Sequence, residues 1–214
     1  MQLTKLGHAC LFVEAGSARI LIDPGAWSTG FEELTDIDAV LVTHAHADHL
    51  DLDRLRPVLA RNPRALLACD SDSRRILAEA GIDGTVVAHG DSLDVGVRVD
   101  VVGSDHAVIH PDIPVIPNCG YVVDGTLFHP GDAFTVPDDA VDVLALPVGA
   151  PWLKAAEMID YLRAVRPRMA VPVHDAVLAF PEMPHRMIRQ LAPDVECRVV
   201  RDGEATDLAT SDPS

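Results

Sequence analysis

Short apolar segments open the chain. Leu3–Leu6, Cys10–Glu14 and Arg19–Ile22 are separated by Gly7, by Gly16-Ser17 and by Asp23-Pro24-Gly25. Brief apolar runs between turn formers at this spacing predict an antiparallel meander. Ala39-Val40-Leu41-Val42 is apolar without alternation, the pattern of a strand buried on both faces. From there the rhythm changes. Leu52, Leu55, Val58 and Leu59 recur at helical spacing over 51–60, with Pro57 expected to kink or end that helix. A strand is expected over 65–68. A helix is expected over 71–80, capped by Ser71 and Gly81. Val86-Val87 and Val97–Val102 read as further strands.

The same plan returns after residue 103. Gly120–Val123 and Thr126–Phe128 flank Asp124-Gly125, a strong hairpin signal. Val143–Leu146 reads as a buried strand, Ala155–Val165 as a helix stopped before Pro167, Met169–Val173 as a strand and Pro184–Leu191 as a helix. Both halves run from strands into strand–helix alternation, which predicts two stacked sheets with helices outside. No repeat or linker divides the chain. One domain is expected over 1–203, followed by a loose polar tail over 204–214.

Composition narrows the partners. Hydrophobic residues make up 48% of the 214 and charged residues 23%, the balance of an ordinary globular protein. Asp and Glu number 33 against 17 Lys and Arg, a formal charge of -16. That sign repels nucleic-acid backbones and anionic lipid, and aromatics at 4% leave few rings for base stacking. A small-molecule partner is therefore expected, with neither nucleic acid nor membrane; homo-oligomerisation stays open. No apolar run reaches the roughly 20 residues of a membrane helix, and no secretory signal opens the chain, so a cytoplasmic location is expected. Cys10, Cys69, Cys119 and Cys197 are far apart and form no C-x-x-C pair. They read as reduced, small hydrophobic residues.

The chemistry concentrates in Thr43-His44-Ala45-His46-Ala47-Asp48-His49, directly after a buried strand. His44 and His46, two apart, can converge on one ion at the strand end. Asp48 and His49 lie where the chain turns towards a helix and can serve a second ion nearby. Neutral imidazole and carboxylate are ligands for zinc, iron and manganese. The plain alternative is a surface histidine cluster, but the density of the pattern and its place at a strand's C-terminal end favour a metal site.

This stretch resembles the H-x-H-x-D-H signature of the metallo-β-lactamase superfamily, and further landmarks follow in order along nearly the whole chain. His106 in Gly103-Ser104-Asp105-His106-Ala107, Asp132 in His129-Pro130-Gly131-Asp132 and His174 in Val171-Pro172-Val173-His174 each match a ligand position of the family. Gly7-His8-Ala9 and Leu21-Ile22-Asp23-Pro24 are similar to openings in the ascorbate-6-phosphate lactonase-like branch, whose members are usually longer. The resemblance implies an α/β fold, a four-layer αβ/βα sandwich of two mixed sheets flanked by helices. It implies a first metal site of His44, His46 and His106, a second of Asp48, His49 and His174, and Asp132 bridging them. Asp48 and Asp132 are the expected catalytic carboxylates, with Asp48 taking or passing a proton. The ions would be two divalent metals, zinc first, manganese or iron otherwise. Two ions about 3.5–4 Å apart bring a shared water's pKa towards neutrality.

Other residues carry paired expectations. His8 can sit near the metals or be structural. Asp23 can hold a ligand imidazole by its second N–H or simply form an Asp-Pro-Gly turn. His110 is a weak rival to His106 and can touch substrate. His129 can point into the cleft or pack. His89 and His185 read as structural or surface residues. Trp27 and Trp152 can wall a pocket, though Trp27, Phe31, Trp152 and Phe180 each also suit ordinary packing. A metal-dependent hydrolase of a small-molecule ester, lactone, phosphodiester or amide follows. The alternative is a non-catalytic metal-binding regulatory protein on the same fold. The position-46 histidine and the lack of a flavin domain set aside flavo-diiron relatives. The chain also has no room for the inserted domain of RNA-processing relatives.

Overall fold

The structure, a computed structural model, describes residues 1–209. Along the chain run β1 (Gln2–Lys5), β2 (Leu11–Ala15), β3 (Ala18–Ile22), β4 (Ala39–Val42), α1 (Leu52–Arg61), β5 (Leu66–Cys69), α2 (Ser71–Glu79) and β6 (Thr85–Val86). There follow β7 (Ser92–Asp94), β8 (Arg98–Val102), β9 (Gly120–Val123), β10 (Leu127–His129), β11 (Val143–Pro147), α3 (Ala155–Val165), β12 (Met169–Val173), α4 (Glu182–Leu191), β13 (Glu196–Cys197) and β14 (Ala205–Asp207). They form two seven-stranded sheets, ordered β14-β1-β2-β3-β4-β5-β6 and β13-β12-β11-β10-β9-β8-β7. Each sheet is antiparallel on one side and parallel on the other. The change falls at β3–β4 in the first sheet and at β10–β11 in the second.

Alternation along the buried strands builds three apolar layers. Ala39 and Leu41 of β4, with Val143 and Ala145 of β11, face the space between the sheets. Val40 and Val42 point outward to Leu55, Val58 and Leu77 of α1 and α2. Leu144 and Leu146 point outward to Ile159, Leu162 and Ile188 of α3 and α4. The result is the expected four-layer sandwich, and it explains why β4 and β11 read as unbroken apolar runs.

The hairpin between β9 and β10 turns at Asp124-Gly125, both at positive φ, as a type I′ turn requires. Pro172 is tolerated inside β12 because residues of that parity face β13, as the Arg198 N–H to Ala170 carbonyl bond of 2.9 Å shows. β13 pairs only with Met169 and Ala170, so Pro172 has no ladder partner to lose there.

Three expectations need correction. Pro57 does not end α1, which runs through to Arg61. The carbonyl it leaves without a donor belongs to exposed Asp53, where water can serve it. The cap of α2 is Asp70, whose carboxylate accepts from Asp72 and Ser73 N–H, and Ser71 is the first helical residue. The tail is not loose from 204 onward: Ala205–Asp207 pair with Gln2–Thr4, and Leu208 is buried in the inter-sheet core. One apolar anchor in a polar stretch suffices to close the β1 edge. Residues 210–214 lie outside the described residues.

Candidate metal centre

The centre lies where the C-terminal end of β4 meets the second sheet. Cross-sheet bonds fix the junction. The Tyr121 hydroxyl donates to the Val42 carbonyl at 2.8 Å, and the Cys119 N–H donates to the Thr43 carbonyl at 2.8 Å. The strand ends there, and Thr43–His49 coils over the junction. Gly25 makes the coil possible, since a Cβ on it would lie 1.8 Å from the Asp48 carbonyl oxygen. Three non-glycine residues around the centre hold left-handed backbone: His8 at φ 48°, Asp23 at φ 50° and His174 at φ 58°. Such conformations cost of order 1–3 kcal/mol each and gather at functional sites.

Seven residues expected from the sequence converge. Possible ligand atoms of His44, His46 and His106 lie within 4.8 Å of one another, as do those of His8, Asp48, His49 and His174. Asp132 joins His44 and His49 in a third such group, and its Oδ2 stands 3.1 Å from His174 Nε2 and 3.5 Å from His106 Nε2. Asp132 thus touches ligand candidates of both sets.

Four of the five candidate imidazoles are aimed by their other nitrogen. His49 Nδ1–H donates to Asp23 Oδ2 at 2.7 Å. Asp23 also accepts from the Thr43 N–H and hydroxyl at 2.7 and 2.8 Å, and His44 Nδ1 meets the Thr43 hydroxyl at 3.0 Å. His106 Nδ1–H donates to the Ala107 carbonyl at 2.6 Å, and His174 Nδ1–H to the Gly149 carbonyl. With the Nδ1 nitrogens occupied, Nε2 of His44, His49, His106 and His174 faces the centre. Of these, Nε2 of His49, His106 and His174 is buried without a hydrogen-bond partner, as is Asp132 Oδ1. An unmet buried polar atom costs about 1–3 kcal/mol. Several converging on one point fit a cation. His44 Nε2 and His46 Nδ1, 3.1 Å apart, add lone pairs aimed together. The cluster can hold metal ions.

The electrostatics divide the candidate ligands. Burial holds the His44 imidazole well below its ordinary pKa and lowers that of His46, so both stand neutral, the form that binds metal. Burial also opposes charge on His49 and His174, but Asp132, with Asp23 and Asp48, outweighs it. His49 is raised well above its ordinary value and His174 to about 9. Burial disfavours the Asp48 and Asp132 carboxylates too. Contacts with His174 and His8 at Asp48, and with His49, His106 and His174 at Asp132, more than offset that and hold both ionised.

The remaining candidates separate. His8 Nε2 lies 3.1 Å from Asp48 Oδ2, and its ring meets Trp27 edge-on. His129 is buried behind the centre, donating to the Ala9 carbonyl at 2.9 Å, with burial lowering its pKa. His110 is not brought in: its side chain is 60% exposed and its Nδ1 accepts the Asp112 N–H. The His106 N–H to Ile116 carbonyl bond closes off residues 107–115 as an excursion, and His110 lies on it. His89 is exposed and His185 is buried on α4, and neither belongs to the groups that could hold an ion. Phe31 is core, and Phe180 is exposed. Trp152 does more than wall a pocket, because its indole N–H donates to Asp132 Oδ2 at 2.9 Å. No spacing rule could have linked two residues on separate loops.

The model of a beta-lactamase superfamily domain matches residues 2–174, a span that ends on the last of these histidines. The chain belongs to the metallo-β-lactamase superfamily. Protein Rv0786c of Mycobacterium tuberculosis is 49% identical over 84% of this chain and 86% of its own. A UPF0173 metal-dependent hydrolase of Pyrococcus furiosus is 28% identical over 97% of this chain and all of its own. Among solved structures, Igni18, a metallo hydrolase of the archaeon Ignicoccus hospitalis, matches with a TM-score of 0.76 and 25% identity over 96% of this chain and 97% of its own.

Proposed function

We propose that the chain is a metal-dependent hydrolase that acts on a small molecule through two ions. His44, His46 and His106 would hold the first, Asp48, His49 and His174 the second, and Asp132 would bridge them. The carrying observation is the set of buried, unpartnered ligand atoms that surround one point from both sheets. Superfamily membership and the relatives named as metal-dependent hydrolases support the reading. Zinc suits this ligand set best, with manganese and iron acceptable to it.

Bound ions would supply Lewis acidity and lower the pKa of a water at the centre. The chain's residues supply the rest. Asp23, Thr43 and the Ala107 and Gly149 carbonyls fix the imidazole tautomers before substrate arrives. Asp48 is partly open to solvent, unlike buried Asp132, and can pass a proton outward; His8 orients its Oδ2. The expected test result is hydrolysis of generic phosphodiesters, esters or lactones that is lost with a chelator and regained on adding metal. It should fall at least a thousandfold in His46→Ala and Asp132→Ala. Full activity in either variant overturns the mechanism. Metal uptake with no turnover on any substrate class would favour the metal-binding regulatory alternative.

A further inference from the structure

Lys5 ends β1 on the face where an apolar residue belongs. Side chains alternate along a strand, so Lys5 points the way Leu3 does, and its cross-strand partner is Leu11. Leu3 and Leu11 both belong to the core between the sheets. Lys5 is only 4% exposed. A buried ammonium is costly unless it is paired, so its partners show what it is for.

Those partners lie across the sheets. Lys5 Nζ donates to Asp175 Oδ1 at 2.8 Å and to Asp175 Oδ2 at 2.7 Å. The more exposed Asp202 is a looser partner, with its Oδ1 3.2 Å away. Asp175 is the residue after His174, where β12 of the second sheet gives way to a turn. The ion pair therefore ties the end of β1 to the turn that carries a proposed ligand of the second ion.

That turn needs holding. His174 sits at φ 58°, a left-handed backbone that a non-glycine residue keeps only where its surroundings enforce it. Leading into it, the chain is fixed by the Val148 N–H to Val173 carbonyl bond of 3.0 Å and the His174 N–H to His8 carbonyl bond of 2.9 Å. Past His174 it is tied to the first sheet by the Ala176 N–H on His8 Nδ1, long at 3.4 Å, and by Lys5 on Asp175. His174 Nε2 stands 3.1 Å from Asp132 Oδ2 and 3.5 Å from Asp48 Oδ2, so a small rotation of the turn would carry it away from both carboxylates.

Resting on the two-ion reading above, we propose that Lys5 is a positioning residue for the second ion. Through Asp175 it sets the His174 turn, and it plays no part in holding the first ion.

The test separates the two sites. His106→Ala leaves the second site to report alone, and His174→Ala the first. Zinc affinity is read by competition with a chromophoric chelator, while circular dichroism and the melting temperature of the metal-free protein are followed in parallel. In the His106→Ala background, Lys5→Met should weaken the remaining ion about tenfold or more, the scale of a partner that orients a ligand. In the His174→Ala background the same change should leave the affinity as it was. Asp175→Asn should also weaken the second-site ion, and adding Lys5→Met to it should weaken it little further, since both act through one contact. Lys154→Met, which breaks the exposed pair with Glu157, should move neither site. Unchanged second-site affinity in Lys5→Met, equal losses at both sites, or fully additive losses with Asp175→Asn would each overturn the proposal. If circular dichroism shows Lys5→Met unfolded, Asp175→Asn carries the test, and second-site affinity unchanged in it is the overturning result. Failure of the two-ion reading shows separately, as His106→Ala protein that binds no zinc.

Discussion

Trp152 reaches the centre from outside the ligand set. Its N–H is the one indole donor on Asp132, and its ring is fixed against Phe134 at 5.0 Å. Trp152→Phe keeps the ring and removes the donor. Partners that orient a metal ligand typically contribute 10–100-fold in affinity, so chelator competition should show metal held about tenfold or more weakly, with the metal-free melting temperature little changed. Unchanged affinity would make Trp152 a packing residue only. The cysteines give a second prediction. Burial pushes the Cys69 and Cys119 thiols up to about 12 and Cys10 well above its ordinary value. The folded protein should resist iodoacetamide at pH 8 at these three sites and label fully in denaturant, and quick labelling of any of them contradicts their burial. Because the folded state holds these protons more tightly, stability is intact below the ordinary thiol pKa and falls as pH rises towards 12. At this scale the sequence brought four of the seven proposed ligands together in one dense motif, since six residues bring their own spacing with them. Trp152 was invisible as a donor because its partner lies 20 residues earlier on another loop.

Among elements, the junction of β4 with its following coil decides whether a centre forms. Gly25→Ala would set a Cβ against the Asp48 backbone, which no rotamer change relieves. Overpacking of this kind costs roughly 1–3 kcal/mol or more, and the ligand coil must move to accommodate it. Denaturant melts should show that loss together with weakened metal uptake. Gly84→Ala, whose Cβ would meet Leu67 at ordinary contact distance, its side chain at 3.4 Å and its carbonyl oxygen at 3.5 Å, should change neither much. A Gly25→Ala protein with native stability and metal content would show the coil to be free to shift. The legibility of the elements follows burial. β4, β11 and β12 are covered on both faces and announce themselves as apolar runs. β7, β13 and β14 are short edge strands of two or three residues with half-exposed patterns, and nothing in their periodicity separates them from loop. α1 passed through Pro57 because an exposed helix face lets water take the freed carbonyl.

For the whole molecule, three layers of buried apolar side chains pack the sheets against each other and against the helices. The fold therefore rests on its sheets and helices, and the ions would add stability without creating it. Metal-free protein should stay folded by circular dichroism and melt several degrees lower than the loaded form. Ligand at a thousandfold excess over its Kd contributes about 4 kcal/mol. A chain that unfolds on chelation would instead make the metal a structural staple. The two-sheet plan was legible because both halves repeat the same change from antiparallel to parallel strands. The orientation that brings His106, Asp132 and His174 to the β4 end was not, because it depends on cross-sheet contacts such as Tyr121 to Val42.

The most direct measurement is elemental metal per chain in purified wild type, His106→Ala and His174→Ala. The expected result is near two ions in the wild type and near one in each variant, since each substitution empties one site. A wild-type chain that takes up no metal when grown or refolded with it, or a single ion that survives both substitutions, would contradict the two-ion centre.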